Sequence, residues 1–360
     1  MKARIFFDGS LSDSVPIKSG VKQGCVLAPT LFGIFFSLLL HHAHRDLSEG
    51  VFLRTRSDRK LFNLSRLRAK TRTRTVLIRE LLFADDAALV SHTEQGLQEL
   101  VDAFASACRD FALTISLKKT QILTQGVAAP PSISIEGQAL DIVEEFTYLG
   151  SCVTSKLSLD TEINRRIGKA SATMARLSKR VWQNHHLTTA TKMKVYNACV
   201  LSALLYGSES WPIYASQQER MNAFHMRCLR RLLNITWKDR VPNSEVLGKT
   251  SSSSLFSIMG KRRLRWLGHV HRMEDSRIPK AILYGELSQG RRHVGRPLLR
   301  FTDTCKHDMK EFQIPHSNWE ALANNRMQWR NCLHAGMKAC EEERIRRWDQ
   351  RRQRRHRVPP

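Results

Sequence analysis

Two adjacent aspartates, Asp85 and Asp86, interrupt an apolar stretch with the sequence LLFADDAALV at positions 81–90. A charged side chain is costly among apolar residues unless a partner or solvent compensates it. The pattern predicts a β-hairpin with both acids at its tip and apolar arms buried beneath. A carboxylate at such a tip is a suitable ligand for Mg²⁺, which takes one or two carboxylates together with substrate phosphates. An ordinary solvated Asp-Asp turn would explain the same residues equally well.

Three other segments contain candidate functional residues. They are GVKQGCVLAPTLF at 20–32, LTISLKKT at 113–120 and FTYLG at 146–150. Gly24 would let the backbone approach a ligand closely, although it would also serve as a loop residue before a helix. Lys118 and Lys119 fit either a phosphate contact or a solvated surface. Tyr148 fits either a binding role or a buried tyrosine with a bonded hydroxyl.

In chain order, these four segments resemble successive motifs of the reverse transcriptase of LINE-type (non-LTR) retrotransposons. The motifs are the Gln-Gly motif, the Phe/Tyr-Ala-Asp-Asp box, the lysine motif and the Tyr-Leu-Gly segment. The resemblance continues through RWLGHV at 265–270 and GRP at 295–297, which look like the region after the polymerase. It implies an α+β fold: an incomplete polymerase palm, built as an antiparallel sheet with helices, then a helical thumb and a basic, mostly helical carboxyl-terminal region.

The resemblance also implies a function and a role for individual residues. The parent protein would be an RNA-directed DNA polymerase that uses RNA and DNA as template-primer and deoxynucleoside triphosphates as substrates. The implied roles are metal ligand for Asp85 with support from Asp86, template and nucleotide contact for Gln23, Gly24 and Phe83, phosphate contact for Lys119, and primer grip for Tyr148, Leu149 and Gly150.

Nucleotide addition uses two divalent ions about 4 Å apart. At an effective dielectric near 20, two such ions repel by about 16 kcal/mol, so shared carboxylates must offset the repulsion. In the family, one of the two aspartates comes from a strand well before the Gln-Gly motif. Only 22 residues precede Gln23, and Asp8 and Asp13 are the acids among them. We therefore expect an incomplete two-metal Mg²⁺ site, with Asp85 and Asp86 as its remaining ligands.

An incomplete site makes polymerisation by this chain absent or weak. The alternative function is that of a non-catalytic nucleic-acid-binding protein, either a domesticated or a relic product of a retroelement. Upstream coding sequence that supplies the missing aspartate is a third possibility. The sequence does not define an oligomeric state.

The charge of the chain favours polyanionic partners. Lys and Arg total 58 against 33 Asp and Glu, which gives a formal net charge of +25. Such a field promotes rapid, salt-sensitive association with nucleic acid. Trp266 lies among arginines and fits either RNA stacking or a core position. The candidate nucleic-acid-binding residues are Arg262, Arg263, Arg265, Arg346, Arg347, Arg351, Arg352, Arg354 and Arg355.

Other sequence features bear on the compartment. The eight cysteines form no Cys-x-x-Cys pair, which argues against a zinc finger and a disulfide framework. His269 and His271 have no acid or cysteine at ligand spacing. The amino terminus lacks the apolar core of a signal peptide, and the apolar run at 31–40 is too short to span a bilayer. We predict an intracellular protein of the nucleus or cytoplasm, neither secreted nor a membrane partner.

The periodicity divides the chain into three predicted regions: partial fingers and palm at 1–150, a helical thumb-like region at 151–250, and a basic nucleic-acid-binding region at 251–360. Asp8-Gly9 predicts a hairpin turn. Pro29 predicts the start of a buried helix over 30–45. The other predicted elements are a strand within 50–60, a basic arm at 65–75, a helix from Thr93, a strand at 114–116, short strands over 133–149, helices at 161–181, 188–206 and 217–233, a linker at 251–254 and a last helix at 341–357.

Overall fold

The structure is a computed structural model that describes residues 2–16, 20, 24–45, 47–58, 60–68, 71–127, 129–289, 295 and 298–357. Gln23, Arg296, Pro297 and the side chain of Arg355 lie outside the described residues. The chain divides into two compact units. The first comprises 1–51, 78–122 and 131–141, and the second comprises 52–77, 123–130 and 142–360.

Short strands and two helices make up the first part of the chain. In order, the elements are β1 (Lys2–Ala3), β2 (Phe6–Phe7), β3 (Ser10–Leu11), β4 (Val15–Pro16), α1 (Ala28–Ala43), β5 (Val51–Thr55), a 3₁₀ turn (Leu64–Arg68), β6 (Arg74–Ile78), β7 (Glu80–Phe83), β8 (Asp86–Leu89), α2 (Glu94–Asp110), β9 (Gln121–Leu123), β10 (Ser134–Ile135), β11 (Gln138–Ala139), β12 (Asp141–Val143), β13 (Glu145–Tyr148) and β14 (Ser151–Thr154).

Helices dominate the rest. They are α3 (Asp160–Arg176), α4 (Thr189–Val195), α5 (Ser202–Leu204), α6 (Ala215–Leu232), α7 (Asn243–Thr250), α8 (Leu255–His271), α9 (Ile278–Tyr284), α10 (Phe301–Glu311), α11 (Trp319–Asn324) and α12 (Arg326–Arg357), with β15 (Gly285–Leu287) after α9. π-Helical turns at Ser178–Trp182 and Tyr196–Leu201 continue α3 and α4. Antiparallel pairs in the first part and helices in the second confirm the predicted α+β class.

Several local predictions are confirmed because their signals are short-range. The Asp8-Gly9 turn joins β2 to β3, and both residues have positive φ, at 46° and 79°. Thr93 caps α2, since its hydroxyl accepts a hydrogen bond from the Gly96 amide at 3.1 Å. Proline stands in the first turn of α1. The helices predicted at 161–181, 188–206 and 217–233 are present as α3 to α6 with their π-helical turns.

The predicted burial of α1 is wrong. Of its residues, only Leu39 and Ala43 are buried, and they pack against Ala107 and Cys108 of α2. Other apolar side chains of α1 stay exposed, among them Leu38 at 58%. An apolar helix surface shows which residues could be buried, but burial also requires a second element that packs on that surface. Here α2 packs on one stripe of α1. The predicted strand at 114–116 is also wrong, because these residues have no regular structure.

The predicted basic arm at 65–75 is only partly exposed. Leu67 is buried, and Arg74 begins β6, which pairs with β5. β5 also pairs with β15, so that Gly285 lies opposite Thr55 in an antiparallel register. The segment between α1 and the acidic hairpin is therefore joined by a sheet to the carboxyl-terminal region. The sequence analysis did not predict β15.

The second unit holds two hydrophobic cores. One contains residues of α3 to α7, including Ile163, Val200 and Leu229, and the other contains residues of α9 to α12 with Trp319 and Trp329. Helix α8 contributes to both, with Met259 in the first and Leu267 in the second. The domain boundaries at 150 and 250 stay a prediction.

The segment 251–254, which the sequence predicts as a linker, is fixed at its end by contacts with α12. Ser254 is fully buried at the start of α8, and its amide and hydroxyl donate to Glu341 of α12 at 2.9 and 2.6 Å. Ser257 also donates to the Glu341 carboxylate, at 2.5 Å. A buried carboxylate that accepts several hydrogen bonds is well compensated. Helix α12 is thereby attached to the amino-terminal end of α8.

Candidate functional site

The acidic pair lies at the tip of a regular antiparallel hairpin. β7 and β8 pair from Glu80 opposite Leu89 to Phe83 opposite Asp86. Ala84 and Asp85 form the two-residue loop, with Ala84 at φ 54°. This confirms the predicted hairpin with acids at its tip. Both carboxylates are exposed, and no ion-pair or hydrogen-bond partner approaches them among the described residues.

The arms of this hairpin are less buried than predicted. Phe83 is 63% exposed and Leu81 is 38% exposed. Leu89 is half-buried and packs against the core around Val101 and Ile135. The sequence correctly predicted which residues form the arms but overestimated how much of their surface other elements cover.

The base of the hairpin is fixed by its neighbours. Glu80 lies 3.4 Å from the buried imidazole of His44, and Arg79 donates to the backbone carbonyls of Leu47 and Glu49. Burial lowers the pKa of His44, against the opposing effect of the Glu80 carboxylate and with a smaller lowering effect of Arg79. The Val90 amide closes the base by donating to the Arg79 carbonyl at 2.7 Å. The tip is therefore presented on a fixed base.

The donor set at the tip fits a divalent ion only in part. Two adjacent exposed carboxylates match the one or two that Mg²⁺ takes from a protein when substrate phosphates supply further oxygens. Within the described ranges, however, no group of three or more His, Cys, Asp or Glu residues is arranged to hold a metal ion. Asp8 is accounted for by the β2–β3 turn that it helps to form.

The other predicted nucleotide contacts have different surroundings. Gly24 has φ 85° and open space around it, which suits a glycine in an exposed turn. Lys119 is exposed in a turn, and its amide donates to the Ser116 carbonyl at 3.0 Å. Gly24, Lys119 and the acidic tip all belong to the first compact unit, whereas residues 148–150 belong to the second.

The predicted primer-grip segment is the turn of a second hairpin. β13 and β14 pair from Glu145 opposite Thr154 to Tyr148 opposite Ser151. Leu149 and Gly150 form the loop with φ of 48° and 77°, so both are left-handed. Glycine adopts this conformation at no cost, but a leucine needs support from its surroundings.

That support comes from α3 and from the turn that follows α5. Arg166 donates to the Gly150 carbonyl, and the hydroxyl of Tyr206 donates to the Leu149 carbonyl at 3.0 Å. The Arg166 guanidinium also lies 4.5 Å from the centre of the Tyr206 ring. Both carbonyls of the turn are therefore held by side chains from the helical region.

Glu162 completes this arrangement. Its carboxylate accepts from Arg166 at 2.6 Å and from the Cys152 amide at 2.7 Å, and both charged side chains are buried. The sequence analysis missed Glu162, Arg166 and Tyr206. An acid four residues before an arginine on a predicted helix was a visible signal, although such pairs are usually exposed. We name Glu162, Arg166 and Tyr206 the turn clamp.

The arginines around Trp266 differ in their surroundings. Arg263 has no exposed surface and pairs with Asp308 at 2.6 Å, so the predicted nucleic-acid contact of Arg263 is wrong. Arg262 is half-buried and donates to the Leu205 carbonyl at 2.9 Å. Arg265 is exposed and remains available. Trp266 is half-buried against the carboxyl-terminal core, so at least part of its surface is structural.

The arginines of α12 are mostly exposed. Arg347 and Arg346 pair with Glu343 at 3.0 and 3.2 Å, but both remain largely accessible to solvent. The exposed arginines beyond them in the described part of α12 are Arg351, Arg352 and Arg354. Among the residues described, no helix combines the length and the apolar character needed to cross a membrane.

Comparison with known proteins assigns the first part of the chain. Residues 1–153 match the family model described as "Reverse transcriptase (RNA-dependent DNA polymerase)". The match includes the acidic hairpin and most of the β13–β14 hairpin. Residues 1–153 are therefore similar to the reverse transcriptase family.

The relatives of the chain come from mobile elements. The chain is 26% identical over 249 residues to the RNA-directed DNA polymerase from mobile element jockey of Drosophila melanogaster, covering 66% of this chain and 24% of that protein. It is 25% identical over 234 residues to a probable RNA-directed DNA polymerase from transposon BS of the same organism, covering 61% of this chain and 23% of that protein. An uncharacterized transposon-derived protein of Caenorhabditis elegans is 25% identical over 260 residues, covering 69% of this chain and 92% of that protein.

These likenesses confirm the resemblance to reverse transcriptases of LINE-type (non-LTR) elements. The chain spans about a quarter of the length of the two Drosophila polymerases. The family as a whole uses divalent metal ions, a nucleic-acid template-primer and nucleotides.

Proposed function

We propose that this chain carries the metal-binding tip of an RNA-directed DNA polymerase, with Asp85 as the principal Mg²⁺ ligand and Asp86 as its support. The observation that carries the proposal is the pair of exposed carboxylates on a fixed hairpin inside the family-matched segment. Asp85 and Asp86 would hold divalent ions, which would neutralise charge on the transferring phosphoryl group and lower the pKa of the attacking hydroxyl. The contribution of this chain is to hold two negative charges at a solvent-facing tip.

The other residues in the first unit are assigned by their position in the motifs. Lys119 is exposed and its ammonium is suited to contact the leaving phosphate. Gly24, next to Gln23, offers an open backbone turn to the template or the nucleotide. Phe83 exposes its ring beside the acidic tip, where it would contact the nucleotide.

Leu149 and Gly150 would contact the end of the primer. In support, the turn clamp fixes the carbonyls of both residues while Leu149 remains 38% exposed. A rigid exposed turn is suited to positioning a bound strand, because little conformational entropy is lost on binding. Tyr148 is half-buried behind the turn and would support it.

Nucleic acid would be bound by exposed basic side chains and not by the buried ones. Arg265, Arg346, Arg347, Arg351, Arg352 and Arg354 satisfy this condition. Phosphate contacts of this kind carry no sequence information and weaken steeply as salt concentration rises.

Primer extension tests the polymerase assignment. An RNA template with a DNA primer is incubated with Mg²⁺ or Mn²⁺ and deoxynucleoside triphosphates, using this chain and its Asp85→Asn variant. The expected result is weak or absent extension by this chain, and loss of any extension in the variant. Asp141→Asn, an exposed aspartate in β12, is the matched control and should leave extension unchanged. Robust extension that survives Asp85→Asn would overturn the assignment of Asp85.

A second function, nucleic-acid binding without catalysis, is favoured by one observation. Within the described residues, the acidic tip has no third ligand to share a metal ion. This function predicts salt-dependent affinity for RNA or DNA that is unchanged by Asp85→Asn and reduced when Arg351, Arg352 and Arg354 are replaced by Gln. Affinity that does not respond to salt would contradict both functions.

A further inference from the structure

One tryptophan of the helical region, Trp237, is far more exposed to solvent than the others. Trp237 is 85% exposed, whereas Trp182, Trp211, Trp319 and Trp329 are each buried. An indole carries one of the largest apolar surfaces of any side chain, so leaving it in water forgoes a large favourable burial. A single exposed apolar side chain is normal on a protein surface, so the groups around Trp237 decide whether it marks a binding site.

The turn that contains Trp237 is held by hydrogen bonds that do not involve the indole. Trp237–Asp239 forms a 3₁₀ turn after α6, and the Asp239 carboxylate accepts from the amide and hydroxyl of Thr236 at 2.6 and 2.8 Å. These hydrogen bonds, the amide first, lower the pKa of Asp239. Arg240 ends the turn in the left-handed region, with φ 48°. The indole is therefore presented by a fixed backbone.

The immediate surroundings of the indole are cationic. The Lys238 ammonium lies 6.0 Å from the centre of the Trp237 ring, and the exposed Arg240 follows two residues later. Asp239 is the acid of this turn, and Thr236 engages its carboxylate. The exposed ring thus has one cation beside it and a second cation, Arg240, at the end of the same turn, which favours a partner that combines flat apolar faces with negative charge.

We propose that Trp237 is a stacking platform for an unpaired base of a single-stranded nucleic acid, with Lys238 and Arg240 contacting the adjoining phosphates. This inference rests on the proposed function to the extent that nucleic acid is the ligand. Stacking on an aromatic ring tolerates any base, because every base has a π-face, and flanking cations follow the backbone. An apolar protein partner would not account for both flanking charges.

Indole fluorescence tests the stacking directly. An exposed indole emits at longer wavelength than buried ones, and since Trp266 and Trp348 are half-buried, the difference between the spectra of the parent and of Trp237→Phe isolates the emission of Trp237. Titration with single-stranded oligodeoxythymidine should quench this emission, and the quenching should disappear in Trp237→Phe, which keeps a stacking ring. An abasic oligonucleotide of equal length should bind more weakly and leave the emission unquenched.

Affinity supplies the second readout. Trp237→Ala should weaken oligonucleotide binding about 5- to 100-fold, the range expected for one stacked base, and Trp237→Phe should retain most of the affinity. Lys238→Gln should reduce the salt slope by about one unit. Met327→Ala, which removes another exposed apolar side chain, is the matched control and should leave affinity unchanged. Trp237→Ala should keep the melting temperature of the parent.

The outcomes separate this inference from the proposed function. If the parent chain binds no nucleic acid in a salt-dependent manner, the proposed function and the inference both fail. If it binds but Trp237→Ala binds equally well and the emission of Trp237 is unchanged, only the stacking role fails. Quenching of equal size by the abasic strand would also overturn stacking. So would an emission change that follows protein concentration without nucleic acid, because it would indicate a protein contact at Trp237.

Discussion

Two hairpins with two-residue loops carry the candidate chemistry, and they are held in opposite ways. The β7–β8 hairpin is fixed at its base and free at its tip, where Asp85 and Asp86 meet solvent. The β13–β14 hairpin is fixed at its tip, because Arg166 and Tyr206 bind the two carbonyls of the turn. A tip that binds metal ions must leave its oxygens free, whereas a tip that positions a strand gains from being rigid. The difference between the hairpins thus follows the different tasks proposed for them.

Of the substitutions that test this contrast, Glu162→Ala should lower the free energy of unfolding the most. It leaves the buried Arg166 guanidinium without its carboxylate, which costs about 3–5 kcal/mol of unfolding free energy for a buried pair. Denaturant unfolding measures the loss. Glu245→Ala breaks the exposed pair of Glu245 with Lys249, 2.7 Å apart, and should cost less than about 1 kcal/mol. Equal losses in the two variants would show that the turn clamp is no stronger than a surface pair.

Acid pH should weaken the helical core that contains α6. His225 is fully buried, its Nδ1 lies 2.7 Å from the Tyr196 hydroxyl, and its Nε2 lies 3.3 Å from the Ser253 carbonyl. Because that carbonyl can only accept, Nε2 carries the proton and Nδ1 accepts from the tyrosine. Burial lowers the pKa of His225 to about 4, against a smaller opposing effect of the Ser253 hydrogen bond.

The sign of the pH effect follows from this lowered pKa. Between pH 6.5 and 4 the unfolded chain binds a proton at His225 that the folded chain does not, so unfolding becomes easier as pH falls. The contribution of neutral His225 to the free energy of unfolding is fully present above pH 6.5, and about 3 kcal/mol of it is lost by pH 4. Urea unfolding of the parent and of His225→Gln across this range measures the difference in slope. His185→Gln, at an exposed histidine, is the control; if its slope changes as much as that of His225→Gln, this account is wrong.

Tyr206→Phe should produce a smaller change at the turn. It removes the hydroxyl that donates to the Leu149 carbonyl but keeps the ring beneath Arg166. The net contribution of one such hydrogen bond is about 1 kcal/mol or less at a half-exposed site. Amide hydrogen exchange of residues 148–151 should become faster, while exchange in β7 and β8 stays unchanged. Unchanged amide exchange in both hairpins would show that the Tyr206 hydroxyl does not stabilise the turn.

The sequence predicted the β7–β8 hairpin, but for the second hairpin it predicted only short strands over 133–149 and not β14. Strand and turn signals are local, so the apolar arms and the Asp-Asp pair were sufficient for the first hairpin, whereas Leu149 and Gly150 were identified only as a motif. Whether Phe83 is covered, or which side chains bind the Gly150 carbonyl, depends on contacts between distant segments. Arg263 is an intermediate case. It continues the apolar stripe of α8 through Met259 and Leu267 at helical spacing, and that position predicts a buried arginine even where an arginine-rich motif suggests a nucleic-acid contact.

Asp85→Asn should have the smallest effect on stability and the most specific effect on function. The side chain is exposed in a turn without a described partner, and such substitutions change the unfolding free energy by no more than about 0.5 kcal/mol. Metal binding should still respond, since the neutral amide removes one of the two charges at the tip. Mn²⁺ relaxation enhancement of water protons, in the presence of a deoxynucleoside triphosphate, measures the loss against the Asp141→Asn control. A variant that keeps both its stability and its Mn²⁺ signal would make the acidic tip an ordinary solvated turn, and the contrast between the two hairpins would then have no functional basis.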